Sequence, residues 1–397
     1  MIRLHDVEGH ERARRSLARA HGKGGIPAAM LFHGLRGVGK QRMALWTAQL
    51  QLCDDPGPEG PCGACRGCKL ALGVEHPDLH WFFPLPRPKG VSGDRLADAL
   101  ESDRIDELIQ RRKEPLRPSV GDELRGLYLG VVQTIRRKAR MQPTLGGDQV
   151  FILADAELMV PQESSPEAAN ALLKLLEEPP GRTRFILTSS EPGRLLPTIR
   201  SRSVPLHLAR LPDHRVADFL ARHGEADEAT AHWAATLGQG AIGRALGFLP
   251  DGDEPGILEG ERRKALELVE AALAPGRAPG YALAMDHSPA GARKLVNLFG
   301  FVEEWLRDVS AVAAGAHDQV LHRDLLDRLR TRVEAAGVEP GDAAGALLAA
   351  EEARELARGN VNPQLIVSGL IRDLRGALRP RRVATTAPAG PASQGER

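Results

Sequence analysis

Short apolar runs alternate with helical patterns along the first half of the chain. Ala28-Ala29-Met30-Leu31-Phe32-His33, Gln149-Val150-Phe151-Ile152-Leu153, Arg184-Phe185-Ile186-Leu187-Thr188-Ser189 and Val204-Pro205-Leu206-His207-Leu208 read as strands. Short apolar runs spaced by helical segments are the signature of an α/β sheet. A helix is expected over Pro166 to Glu178, with Ser165 as N-cap and Pro179-Pro180 as the stop. Past about residue 210 the strand signal ends. There Asp213–His223, Asp227–Leu237 and Glu259–Ala274 carry helical periodicity. Residues 83–125 turn polar and proline-rich, then charged, which predicts an insertion with a helix over Arg95–Arg112 and flexible ends. From Pro380 onward the chain is rich in Pro, Ala, Ser and Gly, a composition that predicts disorder.

Composition narrows the class. With 397 residues, 42% hydrophobic and 26% charged, the chain can bury a core in each of two or three domains, and it is not disordered as a whole. No apolar run reaches the ~20 residues of a membrane span. Met1-Ile2-Arg3-Leu4-His5-Asp6 opens no apolar leader, so a cytoplasmic location and no membrane partner are expected. The 53 basic and 52 acidic residues leave a net charge of +1, without the basic excess of a chain that grips nucleic acid alone. Aromatics at 4% exclude a broad base-stacking platform.

All four cysteines, Cys53, Cys62, Cys65 and Cys68, fall in one window spaced C-x8-C-x2-C-x2-C. Four thiolates at this spacing close a tetrahedral zinc site with no open position, so the expected Zn²⁺ is structural. Gly57, Gly60, Gly63 and Gly67 let the chain turn tightly around it. The alternatives are two labile disulfides or free thiols after zinc loss.

The first apolar run feeds Gly34-Leu35-Arg36-Gly37-Val38-Gly39-Lys40-Gln41, a G-x-x-x-x-G-K phosphate loop opening a helix over Arg42 to Leu52. Glycine backbone N–H groups wrap phosphate and Lys40 reaches its outer oxygens. After the lysine, however, the motif calls for Ser or Thr on Mg²⁺, and this chain has Gln41. The strand ending at Leu153 should be followed by an acidic pair for metal and water. Here it is followed by Ala154-Asp155-Ala156-Glu157. Gly34, Gly37, Gly39, Lys40 and Gln41 thus form a degenerate nucleotide site in which ATP or ADP binding stays open and hydrolysis by this chain alone is not expected.

These motifs come in a recognisable order. The P-loop and cysteine knot precede His76-Pro77-Asp78. Ala168-Ala169-Asn170-Ala171-Leu172-Leu173-Lys174-Leu175-Leu176-Glu177-Glu178-Pro179-Pro180 and Leu195-Leu196-Pro197-Thr198-Ile199-Arg200-Ser201-Arg202-Ser203 follow. The chain resembles subunits of the bacterial DNA polymerase III clamp loader, an AAA+ family whose gamma/tau and delta-prime members carry a zinc knot after the P-loop helix. Glu351 to Leu374, with Asn360-Val361-Asn362-Pro363, resembles the family's C-terminal helix. The resemblance implies an α/β plus all-α chain. Its parts are an AAA+ P-loop domain over 1–208 (zinc module 53–68, insertion 83–125), a helical lid over 209–253, a helical collar over 254–378 and a disordered tail over 379–397.

The resemblance also implies a function. Gln41 and Ala154 fit the largely ATPase-inactive delta-prime type better than the gamma/tau motors, which remain the alternative. So does Gly240-Ala241-Ile242-Gly243, where the lid's sensor arginine is displaced to Arg244. Such a subunit helps place the beta sliding clamp on primed DNA within the polymerase III holoenzyme, in company with gamma/tau and delta. Arg202, in the Ser201-Arg202-Ser203 counterpart of the family's Ser-Arg-Cys motif, is then an arginine finger pointed at the neighbour's ATP; the competing reading is a local salt bridge. Ile135-Arg136-Arg137-Lys138-Ala139-Arg140 is a basic stretch that either touches primer-template DNA phosphates or is a solvated face.

Overall fold

A computed structural model describes residues 2–92, 94–117, 125–145, 147–159, 167–288, 291–359 and 361–378. The chain divides into two compact units, Met1–Gly260 and Glu261–Arg397. The expected tail over 379–397, the Ser165 N-cap and Asn360 lie outside the described residues.

The first unit opens with helix α1 (Glu11–Gly22), strand β1 (Ala29–His33), α2 (Lys40–Gln51), α3 (Arg66–Leu72) and β2 (Leu79–Phe82). A second stretch carries β3 (Leu85–Pro86), α4 (Asp94–Lys113), β4 (Arg125–Gly126) and α5 (Leu129–Ala139). It continues through β5 (Gln149–Leu153), α6 (Glu167–Glu177), β6 (Thr183–Ser189), α7 (Pro197–Ser201) and β7 (Val204–His207). Helices α8 (Asp213–His223), α9 (Glu228–Gly238) and α10 (Ile242–Ala245) close it.

Five strands form a parallel sheet in the order β2–β5–β6–β1–β7. Ala29 stands opposite Phe185, Gln149 opposite Thr183 and Leu79 opposite Val150. Every residue of β5 is buried, which is why its sequence is a continuous run and not an alternation. Pro205 sits in the edge strand β7, where a missing N–H leaves no neighbour unpaired.

The four expected strands are present, and β2 is an addition. Leu79-His80-Trp81-Phe82 is short and broken by a histidine, so its local pattern does not read as a strand; pairing with β5 makes it one.

The inserted segment needs correction as well. Its described ends are pinned, not loose: Phe83 and Leu85 are buried in the core, and Leu85–Pro86 pairs antiparallel with Arg125–Gly126. Residues 118–124 lie outside the described residues. Helix α4 packs along α5, where Lys138 Nζ meets Glu101 Oε1 at 3.4 Å.

Helix α11 (Ile257–Leu273) starts in the last residues of the first unit and continues into the second, which is helical: α12 (Ala278–Met285), α13 (Leu295–Ala313), α14 (Leu326–Ala336), α15 (Asp342–Ala357) and α16 (Pro363–Ala377) follow. The helix read over Glu351–Leu374 is therefore two. Pro363 cannot continue α15, and Asn362 restarts the chain by accepting the Gln364 N–H at 2.8 Å. Helix α15 buries Ala343, Ala346, Ala350, Ala353 and Ala357, a small-residue stripe, and packs against both α13 and α16.

A polar knot fixes this unit. Arg262, fully buried, donates to both carboxylate oxygens of Asp324 at 2.9 and 2.6 Å. Its carbonyl accepts Trp305 Nε1 at 2.9 Å, and the Trp305 ring stacks on His322 at 3.9 Å. Asp308 accepts from Leu321 N, His322 N and His322 Nδ1 at 2.9, 3.0 and 2.8 Å. Removing that carboxylate strands three donors in the interior. Asp308→Ala is expected to lower stability by about 3 kcal/mol, read as a shift of the urea midpoint, while Asp308→Asn loses less.

Candidate functional site

The four cysteines converge where the end of α2 meets α3. Their Sγ atoms all lie within 4.8 Å of one another. Cys62–Cys68 and Cys53–Cys65 stand 3.9 Å apart, far beyond a disulfide bond. At a Zn–S length of about 2.3 Å, tetrahedral sulfurs are about 3.8 Å apart. Backbone N–H groups already point at sulfur: Asp54 and Cys68 at Cys65 Sγ (3.4 and 3.3 Å), Cys62 at Cys53 Sγ (3.3 Å), Cys65 at Cys62 Sγ (3.3 Å). Such donors favour thiolate. Those of Ala64 and Cys65 pull the exposed Cys62 thiol down to about 7, while burial raises Cys53 and Cys68. Gly67 is required here, since a Cβ would sit 2.0 Å from the Leu52 carbonyl oxygen. The cluster could hold a metal ion.

The P-loop runs from the end of β1 into α2. Lys40 is 5% exposed and its ammonium donates to Gly34 O, Leu35 O and Ser190 Oγ at 2.9, 2.8 and 2.9 Å. Burial lowers its pKa from 10.5 to about 8, against the attraction of Asp155 and Glu157.

Ala154, just past β5, is fully buried, its N–H on Phe82 O at 2.8 Å. Asp155 follows in left-handed backbone (φ 49°), with its N–H on Thr188 Oγ1 at 3.0 Å. Its carboxylate accepts Gln41 Nε2 at 3.2 Å. Glu157 turns to Ser190 N at 2.9 Å, and burial raises its pKa.

The start of α10 presses on the same loop. Gly243 donates its N–H to Gly37 O at 2.8 Å, and a Cβ on either glycine would meet the other segment's backbone within 3 Å. The loop backbone therefore explains why residue 243 is glycine, a reason invisible along the chain.

Arg202, just past α7, is part-exposed. Its Nη2 meets Glu177 Oε1 at 2.6 Å and its Nη1 donates to Thr198 O at 3.2 Å. In the basic stretch, Arg137 and Arg140 are exposed and Arg136 is half-buried, while Lys138 is taken up by Glu101. The geometry thus gathers Gly34, Gly37, Gly39, Lys40, Gln41 and Asp155 at the strand ends, with the Cys53, Cys62, Cys65 and Cys68 cluster and Arg202 as separate sites.

A phosphate loop between β1 and α2, on a parallel sheet of this order with helices on both faces, defines a P-loop domain of the AAA+ class. A family model described as DNA polymerase III, delta subunit, matches residues 9–212, just over half the chain. The chain belongs to that family. A DNA polymerase III subunit delta' of Pseudomonas aeruginosa is 37% identical over 44% of this chain and 41% of its own length. The Escherichia coli subunit of the same name is 30% identical over 67% of this chain and 66% of its own length. The Escherichia coli DNA polymerase III subunit tau is 28% identical over 68% of this chain and 33% of its own length. This chain thus spans less than two thirds of each of these relatives.

The lowered pKa of Lys40 carries a sign. Below pH 8 both folded and unfolded chains hold the proton and folding bears the burial of a charge. Between about 8 and 10.5 only the unfolded chain holds it, so stability rises with pH through that window. Urea unfolding of the native chain against Lys40→Met is expected to move in favour of the native chain across that window and to level off above it.

Proposed function

We propose that this chain is a delta-prime-type clamp-loader subunit that does not itself hydrolyse ATP and supplies Arg202 to a neighbouring subunit's ATP. The observation that carries the reading is the contrast between its two phosphate-directed sites. The metal and base positions hold Gln41, buried Ala154 and an Asp155 tied to Gln41. Arg202, by contrast, is part-exposed at the end of α7. Its pairing with Glu177 involves side chains 35% and 45% exposed. An ion pair so solvated is worth about 0–1 kcal/mol, so a neighbour's polyphosphate can take the guanidinium over. A fixed guanidinium stabilises charge on the transferring phosphoryl group and is worth about 10³–10⁵ in rate.

The rest of the reading follows. Residues 1–208 act as the AAA+ domain, 209–253 as its lid and 254–378 as a collar that joins gamma/tau and delta. Exposed Tyr281, Leu348, Leu356 and Leu365 in the second unit support such an interface. The assembly works with the beta clamp and primer-template DNA, and Arg136, Arg137 and Arg140 touch phosphates without reading sequence. The setting is cytoplasmic; among the described residues no helix is long and apolar enough to cross a membrane. The cysteine cluster holds one structural Zn²⁺, a reading supported by its sulfur spacing and its aimed N–H groups.

In a reconstituted loader, Arg202→Ala is expected to cut DNA- and clamp-stimulated ATP turnover at the adjacent site by about 10³ or more. Lys40→Ala is expected to leave turnover unchanged. The opposite pattern, with turnover by the isolated chain, assigns it to the gamma/tau motors, a reading that the tau relative keeps open. Elemental analysis is expected to find one zinc per chain, lost together with the fold of residues 53–68 in Cys68→Ser.

A further inference from the structure

Two features stand outside that function: the role of the inserted helix α4, and the reason residue 41 is glutamine. They meet in space. Arg111, in the last turn of α4, lays its guanidinium over the Phe83 ring at 4.0 Å and near the Trp81 ring at 5.2 Å. Glu107 holds its Nε at 3.0 Å. Its Nη1 donates to Gln41 Oε1 at 3.3 Å, and Gln41 Nε2 donates in turn to Asp155 Oδ2 at 3.2 Å. A continuous chain, Arg111–Gln41–Asp155, therefore runs from the insertion to the end of β5. Flanking contacts secure it: Arg42 Nη2 donates to Pro115 O at 2.6 Å, and Arg112 pairs with Glu75.

The groups engaged are those a P-loop directs at its metal, namely the side chain after the lysine and a carboxylate just past β5, which β6 separates from β1. A Ser or Thr hydroxyl at position 41 is too short to span both partners. A glutamine amide carries an acceptor for the guanidinium and a donor for the carboxylate at one tip. The guanidinium supplies positive charge where the motif elsewhere supplies a divalent ion, and stacking on Phe83 fixes its plane.

We propose that the insertion is itself the occupant of this degenerate site: Arg111 fills the place of the nucleotide-bound metal, so Mg²⁺-nucleotide and α4 compete for it. The inference rests on reading residues 34–41 as a P-loop and is independent of the Arg202 finger.

The test titrates a fluorescent mant-ADP with Mg²⁺ into the full chain, into Arg111→Ala and into Gln41→Met. Amide exchange of residues 106–113 is followed in the same proteins. Arg111→Ala is expected to tighten Mg²⁺·mant-ADP binding by at least about tenfold. By reciprocity, the nucleotide is expected to speed exchange at 106–113 in the native chain. Gln41→Met cuts the chain at its middle without touching Arg111, and is expected to speed the same amides even if Arg111→Ala does not fold. Equal affinity in the native chain and the variants, including no binding by any of them, overturns the proposal. So does exchange at 106–113 that neither variant changes. The loader assay with Arg202→Ala is unaffected by either result, so the two readings fail separately.

Discussion

Much of the first unit depends on how one buried ammonium is satisfied. Lys40 sits at the ends of β1 and β6 with its three hydrogens on Gly34 O, Leu35 O and Ser190 Oγ. A charge taken out of water is tolerated only when every donor finds an acceptor and counter-charge is near. Asp155 and Glu157 supply the counter-charge, and Asp155, just past β5, is itself in left-handed backbone. The parallel register of β1, β5 and β6 brings these groups to one edge. The lysine that a P-loop offers a phosphate is here held by two carbonyls of its own loop and one serine hydroxyl.

The insertion extends the same logic. Its base is a clasp of two residue pairs, and its helix lies along α5 with Lys138 on Glu101 and Arg111 near the P-loop. A basic helix that reads as one electropositive face thus loses one of its charges to a neighbour. The cysteine cluster is organised separately, by N–H groups aimed at sulfur and by the close approach of Gly67 to Leu52. The helical unit has its own centre in Arg262, Trp305, Asp308 and His322, a polar network closed by hydrogen bonds.

Membership of the DNA polymerase III delta-subunit family rests on residues 9–212. The departures that give this chain its character lie within or close to that span: Gln41, Ala154, the 83–125 insertion and Gly243. Three of them meet around one loop. Gln41 ties to Asp155, Arg111 ties to Gln41, and Gly243 packs on Gly37. At each of these positions the residue is engaged in a contact within the chain itself.

Without reaching α1, α13 or α14, the sequence by itself determined the four main strands, the P-loop, the cysteine knot, the insertion helix and helices α2, α6, α8, α9 and α11. Each is written in local periodicity or in residue spacing, and backbone geometry converts such patterns directly into structure. It also shows that Gln41 stands where a P-loop motif calls for Ser or Thr and that Ala154 follows the β5 run, because these are identities at fixed offsets. Only the tertiary structure decided the rest. Strand β2 exists because β5 pairs with it, and the ends of the insertion are ordered because β3 meets β4. The predicted C-terminal helix breaks at Pro363, where Asn362 offers a fresh cap. Gly243 and Arg111 owe their roles to loops 206 and 70 residues away in sequence, since Gly243 meets Gly37 and Arg111 meets Gln41. Contacts of that separation leave no periodic trace along the chain; they follow from which strand ends the sheet brings together.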